Sequence, residues 1–149
     1  MKKYISVITT IICLFISTIS HANTQEQEIN KKNAIKFYDQ VINQKKFETA
    51  SKYLGSRYTQ HNPTAADGAE GLRSFIQFLR KNYPNAHSKI IRVFADGKYV
   101  ILHVHSIREP GTQGRAIFDL FKFENGKIVE HWDVVQNIPN KSANSNSMF

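Results

Sequence analysis

The chain has 149 residues, with 20 basic and 12 acidic side chains and a formal net charge of +8. This length suits one domain around a single hydrophobic core. The basic residues are scattered and no aromatic-and-basic ladder accompanies them, so the charge indicates a solvated surface and argues against a nucleic-acid partner.

The N-terminus, MKKYISVITTIICLFISTISHA, has the layout of a secretory signal peptide. Two lysines precede an apolar stretch shorter than the roughly 20 residues that a membrane span needs, and small residues stand at the cleavage-reading positions. We expect cleavage after Ala22 and a periplasmic or secreted protein without a membrane partner; a retained anchor is the alternative. Cys13 is the only cysteine, so the mature chain would have no disulfide and no thiolate ligand.

Helical periodicity is strongest in the first half of the mature chain. Apolar residues recur there at three- and four-residue steps, and Gly55 and Pro84 supply stop signals. The predicted helices are Glu28–Asn43, Phe47–Leu54 and Asp67–Tyr83, with an extended segment, Arg57–His61, before the third.

Four strand-like runs follow, and tight-turn signals separate them. Asp96-Gly97 and Asn125-Gly126 are typical of hairpins because both supply the positive φ that tight turns need. Helices followed by an antiparallel meander predict an α+β domain, in which helices cover one face of a curved sheet. The predicted strands are Lys89–Phe94, Tyr99–Ile107, Arg115–Glu124 and Lys127–Gln136, and residues 140–149, rich in Ser and Asn, are predicted to be a disordered tail.

These strands carry ionisable side chains among apolar ones, and burying such groups is costly unless they are paired or hydrogen-bonded. Residues two apart on a strand share a face, so His103 points with His105 and His131 points with Asp133. The pattern leaves open which face lies inside.

Asp119 is the sharpest candidate because large apolar residues flank it in the run IFDLF. Desolvation raises the pKa of a carboxyl group, and a carboxylate nearer neutrality can take and return a proton beside a carbonyl. The alternative is a structural aspartate paired with Arg115 or Arg92. His105 could stabilise a developing enolate, or could be a satisfied core histidine.

His103, His105 and Glu109 raise a rival possibility, since their spacing is close to the first metal motif of cupins. Imidazoles two apart on a strand suit iron, manganese or zinc. The second histidine motif of cupins is missing and the helical first half does not suit a jelly roll, so we expect no metal.

Taken together, several stretches resemble the SnoaL-like polyketide cyclase group of the nuclear transport factor 2-like superfamily. The resemblance covers nearly all of residues 28–139 and places the domain at residues 23–139. The matching stretches are YTQHNP (58–63), DGAEG (67–71), HVH (103–105), PG (110–111), FDLF (118–121) and GKIVEHWDV (126–134).

The resemblance implies a cone-shaped α+β barrel, usually a homodimer, whose pocket takes a small hydrophobic molecule and needs no cofactor. In the family's cyclases an aspartate serves as general acid/base for an aldol closure with a histidine nearby, and Asp119 and His105 match those positions. The expected activity is aldol cyclase, isomerase or lyase chemistry on a small carbonyl compound; a non-catalytic ligand-binding module is the alternative. The expected substrate-binding residues are Tyr58, His61, His103, His131, Trp132 and Asp133.

Overall fold

The computed structural model describes residues 24–149, so the predicted signal peptide, residues 1–22, lies outside the described residues. The helices are α1 (residues 24–38, continuing into a π-helical turn at Asp39–Asn43), α2 (Phe47–Ala50, followed by a 3-10 turn at Ser51–Tyr53) and α3 (Gly68–Asn82). The strands are β1 (Leu54–Gln60), β2 (His87–Asp96), β3 (Tyr99–Ile107), β4 (Arg115–Glu124) and β5 (Lys127–Asn137). None of the helices in this part of the chain has the length and apolar character needed to cross a membrane.

The four predicted C-terminal strands are confirmed with small changes at their ends, and the first and third helices end where expected. The second helix is shorter than predicted because its last turn tightens into the 3-10 turn and β1 begins at Leu54. The extended segment predicted at Arg57–His61 belongs largely to β1.

The sheet order is β1-β5-β4-β3-β2: the predicted antiparallel meander is confirmed, and β1 adds a fifth strand at its edge. Strands β2 to β5 form consecutive antiparallel hairpins, whereas β1 runs parallel to β5, with Gln60 opposite His131. A parallel pair requires a long crossover, and here α3 and the three intervening strands supply it. The pairing brings the end of β1 beside the middle of β5.

One face of the sheet packs on the helices and forms the core. Large apolar side chains of β3, β4 and β5 meet the apolar stripes of α1 and α3, and their burial is the main source of stability. The fully buried members include Phe121, Phe123, Ile76, Leu102, Ile128, Val100 and Val104. This face is called the inner face below, and the opposite one the outer face.

A β-bulge in β5 decides which of its side chains reach the inner face. Next to the turn Phe123 pairs with Ile128, but after the bulge Lys122 pairs with Glu130, so Val129 is the extra residue. A bulge sets two residues against one and shifts everything beyond it by one position. Asp119 therefore lies opposite Asp133; without the bulge, Trp132 would face it.

Gly114 allows the start of β4 to approach β3 closely. Its φ is +79°, and a Cβ atom there would lie 2.4 Å from the Ser106 carbonyl oxygen. Gly111, in the same loop, has φ of +89° but open space around the corresponding position. The positive φ disfavours a side chain at both positions, and at Gly114 a Cβ atom would also clash with the backbone of β3.

We therefore expect Gly111→Ala to reduce the free energy of unfolding by about 1 kcal/mol, the approximate cost of a left-handed conformation, and Gly114→Ala to reduce it by clearly more. Urea unfolding of both variants tests this. Equal losses would contradict the close approach of Gly114 to β3.

Candidate active site

A cavity of about 750 Å³ lies between the inner face of the sheet and helices α1 and α3. Its walls are largely apolar, and a smaller set of polar groups converges on it, which is the composition typical of sites for small molecules. The polar side chains lining the cavity include Tyr38, Tyr58, Gln60, Ser106, Arg108, Arg115, Asp119, His131 and Asp133.

Asp119 lies in this cavity and is only 5% exposed. Its Oδ1 atom is 3.1 Å from Nε2 of His131, whereas its Oδ2 atom is buried and has no hydrogen-bond partner among residues 24–149. Burial raises the pKa of the Asp119 carboxyl group; the hydrogen bond and charge of His131 partly oppose this, and the charge of Asp133 adds to it. The alternative ion pair with Arg115 or Arg92 does not form within the described residues, where the ionic partner of Asp119 is His131.

The proton positions on His131 follow from its other neighbours. Gln60 Oε1 accepts the backbone N–H of Asn62 at 2.9 Å, which identifies that atom as the amide oxygen, and His131 Nδ1 lies 3.1 Å from it. Nδ1 must therefore carry a hydrogen, because a bare nitrogen cannot bond to an acceptor. The contact with Asp119 then needs one further proton: either His131 is an imidazolium beside a carboxylate, or Asp119 is protonated beside a neutral ring.

Asp133 lies across the strand from Asp119 and is held by an amide. Asn62 Nδ2 donates to both of its carboxylate oxygens, at 2.7 and 2.9 Å, while Asn62 Oδ1 accepts from the Thr64 backbone at 2.8 Å. These bonds tie Asp133 to the loop that follows β1. The two neighbouring carboxyl groups thus have different surroundings, one hydrogen-bonded by an amide and one with an open oxygen.

Two phenols complete the polar part of the cavity. Burial raises the pKa of both Tyr38 and Tyr58, and the charge of Asp119 adds to the effect. Both phenols are therefore neutral at ordinary pH and can donate a hydrogen bond. Tyr58 accepts a hydrogen bond from Gln60 Nε2 at 3.3 Å, which leaves its own O–H hydrogen for another acceptor.

The expected partnership between Asp119 and His105 requires correction. Direct cross-strand pairs share a face, and Asp119 pairs with Leu102, so His103 and His105 project from the outer face. Nε2 of His105 donates to the Gln113 carbonyl at 2.8 Å. The His103 ring stacks on Phe118 with centroids 4.4 Å apart, and neither imidazole lines the cavity.

Two further predicted pocket residues, His61 and Trp132, lie outside the cavity. Their rings stack at 4.2 Å, and Nε2 of His61 is 3.1 Å from a carboxylate oxygen of Glu130. Tyr58, His131 and Asp133 do line the cavity, so the structure brings these three together with Asp119 and separates them from the other predicted site residues.

The three residues whose ligand atoms lie close enough to share a metal ion are Asp119, His131 and Asp133, within 4.8 Å of one another; no other such group occurs among residues 24–149. The alternative set of His103, His105 and Glu109 is therefore not assembled. Both ring nitrogens of His131 and both oxygens of Asp133 already have hydrogen-bond partners. A metal would have to replace those bonds, so this donor set fits proton chemistry better.

Sequence reasoning did not assign roles to Gln60, Tyr38 or Arg108, and it considered Arg115 only as a partner for Asp119. Alternation along β4 does place Arg115 on the face of Asp119, which is a signal available in the sequence. Gln60 reaches His131 only through the parallel pairing of β1 with β5, which no local pattern indicates.

Comparison with known proteins agrees with this architecture. Residues 32–142 match the family model described as SnoaL-like polyketide cyclase. The chain belongs to this family. A search of the curated proteins finds no match.

Solved structures show the same fold at low sequence identity. One from Bacillus cereus, named provisionally as a polyketide cyclase, is 23% identical with a TM-score of 0.60 over 69% of this chain and 71% of its own. A cystatin-fold protein from Novosphingobium aromaticivorans has 21% identity and a TM-score of 0.61 over 70% and 97%. An NTF2-like protein from Cytophaga hutchinsonii has 17% identity and a TM-score of 0.57 over 72% and 89%. The predicted α+β cone of this SnoaL-like protein is confirmed.

The raised pKa of Asp119 predicts a pH dependence of stability. The folded protein holds this proton more tightly than the unfolded chain, where the pKa is about 3.9. The stabilising contribution is thus complete below that value and is lost as the pH rises through the folded pKa. As the pH rises from about 3.9 through the folded pKa of Asp119, we expect the free energy of unfolding of the wild type to fall relative to that of Asp119→Asn. Urea unfolding at a series of pH values measures this difference.

The exposed Asp96→Asn variant controls for the loss of a carboxyl group. If the free energies of unfolding of wild type and Asp119→Asn change with pH in the same way over this range, Asp119 is not desolvated.

Proposed function

We propose that this SnoaL-like protein is an acid/base enzyme that moves a proton at a carbon next to a carbonyl group, in aldol cyclase, isomerase or lyase chemistry. Its substrate is a small, largely hydrophobic carbonyl compound bound in the inner cavity. One observation carries the proposal: in the part of the chain that the structure describes, a buried carboxyl group in the cavity has one oxygen without a partner while its other oxygen contacts an imidazole. An open oxygen in a desolvated site is the arrangement a general base requires.

The proton transfer uses the form in which Asp119 is a carboxylate and His131 an imidazolium. Asp119 Oδ2 takes the proton from the substrate carbon, so a C–H bond breaks, an O–H bond forms and the electron pair moves to the carbonyl oxygen as an enolate. His131 stabilises the carboxylate through Oδ1 before the transfer and leaves Oδ2 free to react. Asp119 then returns the proton to carbon; in the aldol case the enolate carbon instead attacks a second carbonyl group of the same molecule, whose π electron pair moves to its oxygen, and Asp119 gives the proton to that alkoxide.

The enolate oxygen needs a hydrogen-bond donor, and Tyr58 fits that role. Its phenol lines the cavity near Asp119, stays neutral and has its hydrogen available. A donor already oriented in a water-poor site stabilises developing charge without reorganising first. Tyr38 is the second phenol able to do this.

We expect Asp119→Asn to lower the rate of proton exchange by about 10²- to 10⁴-fold, the usual contribution of a general base, while leaving the circular dichroism spectrum unchanged. Exchange can be followed by NMR in D2O with a panel of small aryl and alkyl ketones.

His105→Gln is the matched histidine comparison, because this imidazole projects from the outer face, and we expect nearly the wild-type rate. If proton exchange is lost in His105→Gln but retained in Asp119→Asn, Asp119 is not the general base. If the wild type binds the ketones but exchanges no proton, the alternative of a non-catalytic ligand-binding module is favoured.

We also propose a homodimer that forms through the outer face. Apolar side chains there are unusually exposed for strand residues, including Phe118 at 49% and Val134 at 73%, and adjacent exposed apolar groups mark interaction surfaces.

We expect Phe118→Glu to be a monomer in sedimentation equilibrium, because the new carboxylate would be buried in the interface. Ile35→Glu, at a similarly exposed position on α1, should remain dimeric; a monomeric wild type would disprove the proposal.

A further inference from the structure

Two arginines at one end of the cavity form no direct ion pair with any of residues 24–149. Arg108 follows β3 and Arg115 begins β4; both line the 750 Å³ cavity as well as an adjoining surface hollow of about 680 Å³. Both are half-buried, and within residues 24–149 neither guanidinium forms a hydrogen bond or an ion pair. Half-buried arginines normally have a carboxylate or carbonyl partner, because an unpaired charge is costly to desolvate.

The two charges also act on each other. Burial lowers the pKa of Arg115, and the neighbouring charge of Arg108 lowers it further, while Tyr38, Tyr83 and Asp133 act in the opposite sense. The head group of Arg108 faces the rings of Phe75 and Tyr83 at 6.0 and 5.5 Å from their centroids. These ring contacts orient the guanidinium but supply no negative charge.

The carboxyl groups of the cavity do not balance these cations. Asp119 shares one proton with His131, so that pair is neutral as a unit. Asp133 carries one negative charge, and its oxygens are occupied by Asn62. Glu109 is exposed and pairs with neither arginine. Two guanidinium charges therefore face one carboxylate, and this end of the cavity is left with a positive charge.

We propose that Arg108 and Arg115 bind an oxyanion group of the substrate, a carboxylate or a phosphate, so that the substrate is an anionic carbonyl compound with an apolar body. The guanidinium fork matches the oxygens of such groups with two parallel hydrogen bonds. This assignment rests on the proposed proton chemistry at Asp119 for the position of the carbonyl group.

The geometry of β4 sets the length of such a molecule. Arg115 and Asp119 are four residues apart on one face of the strand, so their Cα atoms are about 13 Å apart, and both residues line the cavity. The oxyanion and the reacting carbon must therefore be separated by a chain or ring of several carbons. The apolar wall between the two ends, which includes Ile117, suits that part of the molecule.

Benzoylbutyrate and its methyl ester form a suitable probe pair, since they differ in one charge and share the ketone and the ring. We expect calorimetry to show that wild type binds the acid about 10- to 100-fold more tightly than the ester, the range for hydrogen bonds to a charged group. Arg108→Gln and Arg115→Gln should each reduce this preference, and Arg115→Lys should retain part of it. Arg57→Gln, an exposed arginine paired with Glu124, should leave the preference intact.

Equal affinity for acid and ester in wild type, or a preference that survives in the Arg108→Gln/Arg115→Gln double variant, would overturn the oxyanion site. Asp119→Asn should keep the preference for the acid and lose proton exchange. If the preference is present but wild type exchanges no faster than Asp119→Asn, the proposed proton chemistry fails while the oxyanion site stands. Displacement of benzoylbutyrate by inorganic phosphate would show that the site accepts both oxyanions; no displacement would restrict it to carboxylates.

Discussion

The contact between Asp119 and His131 depends on the register of β4 and β5, and the rest of the site depends on that contact. The bulge at Val129 shifts β5 by one residue, so the histidine and Asp133 turn inward and Trp132 turns outward. A strand has a two-residue side-chain period, so one extra residue exchanges its faces completely. The same shift places the imidazole within reach of Gln60 on β1 and so fixes its protonated nitrogen.

Burial of a carboxyl group opposes folding unless its charge is compensated, and here the compensation is incomplete. His131 satisfies one oxygen of Asp119, but the other has no partner among the described residues. Buried polar groups of this kind are uncommon because they cost free energy, and they are concentrated where a ligand supplies the missing contact. The two arginines at the other end of the cavity also have unmatched charge, because among the described residues neither guanidinium forms an ion pair or a hydrogen bond. A single molecule with an acidic C–H group beside a carbonyl at one end and an oxyanion at the other would supply both missing partners, because Oδ2 of Asp119 accepts a proton and the guanidinium groups donate hydrogen bonds.

The two histidines of β3 lie on the outer face, away from the cavity in which the sequence analysis expected them. His103 is buried between Phe118, Phe149 and Arg92 on the outer face, where burial and then the charge of Arg92 lower its pKa. His105 is held by the Gln113 carbonyl. These contacts organise the surface that we propose for dimerisation, so His103 and His105 have packing contacts on the outer face, whereas His131 lines the cavity on the inner face.

The sequence by itself determined the class of fold, most helix and strand boundaries and the special position of Asp119, because these follow from local periodicity, turn residues and apolar neighbours. It also determined that Arg115 shares a face with Asp119. Only the tertiary structure decided which histidine meets the aspartate, because a bulge and a parallel pairing between distant strands set that contact. Both depend on the packing of the whole sheet, and an ideal hairpin drawn from Asn125-Gly126 would have put Trp132 in the place opposite Asp119.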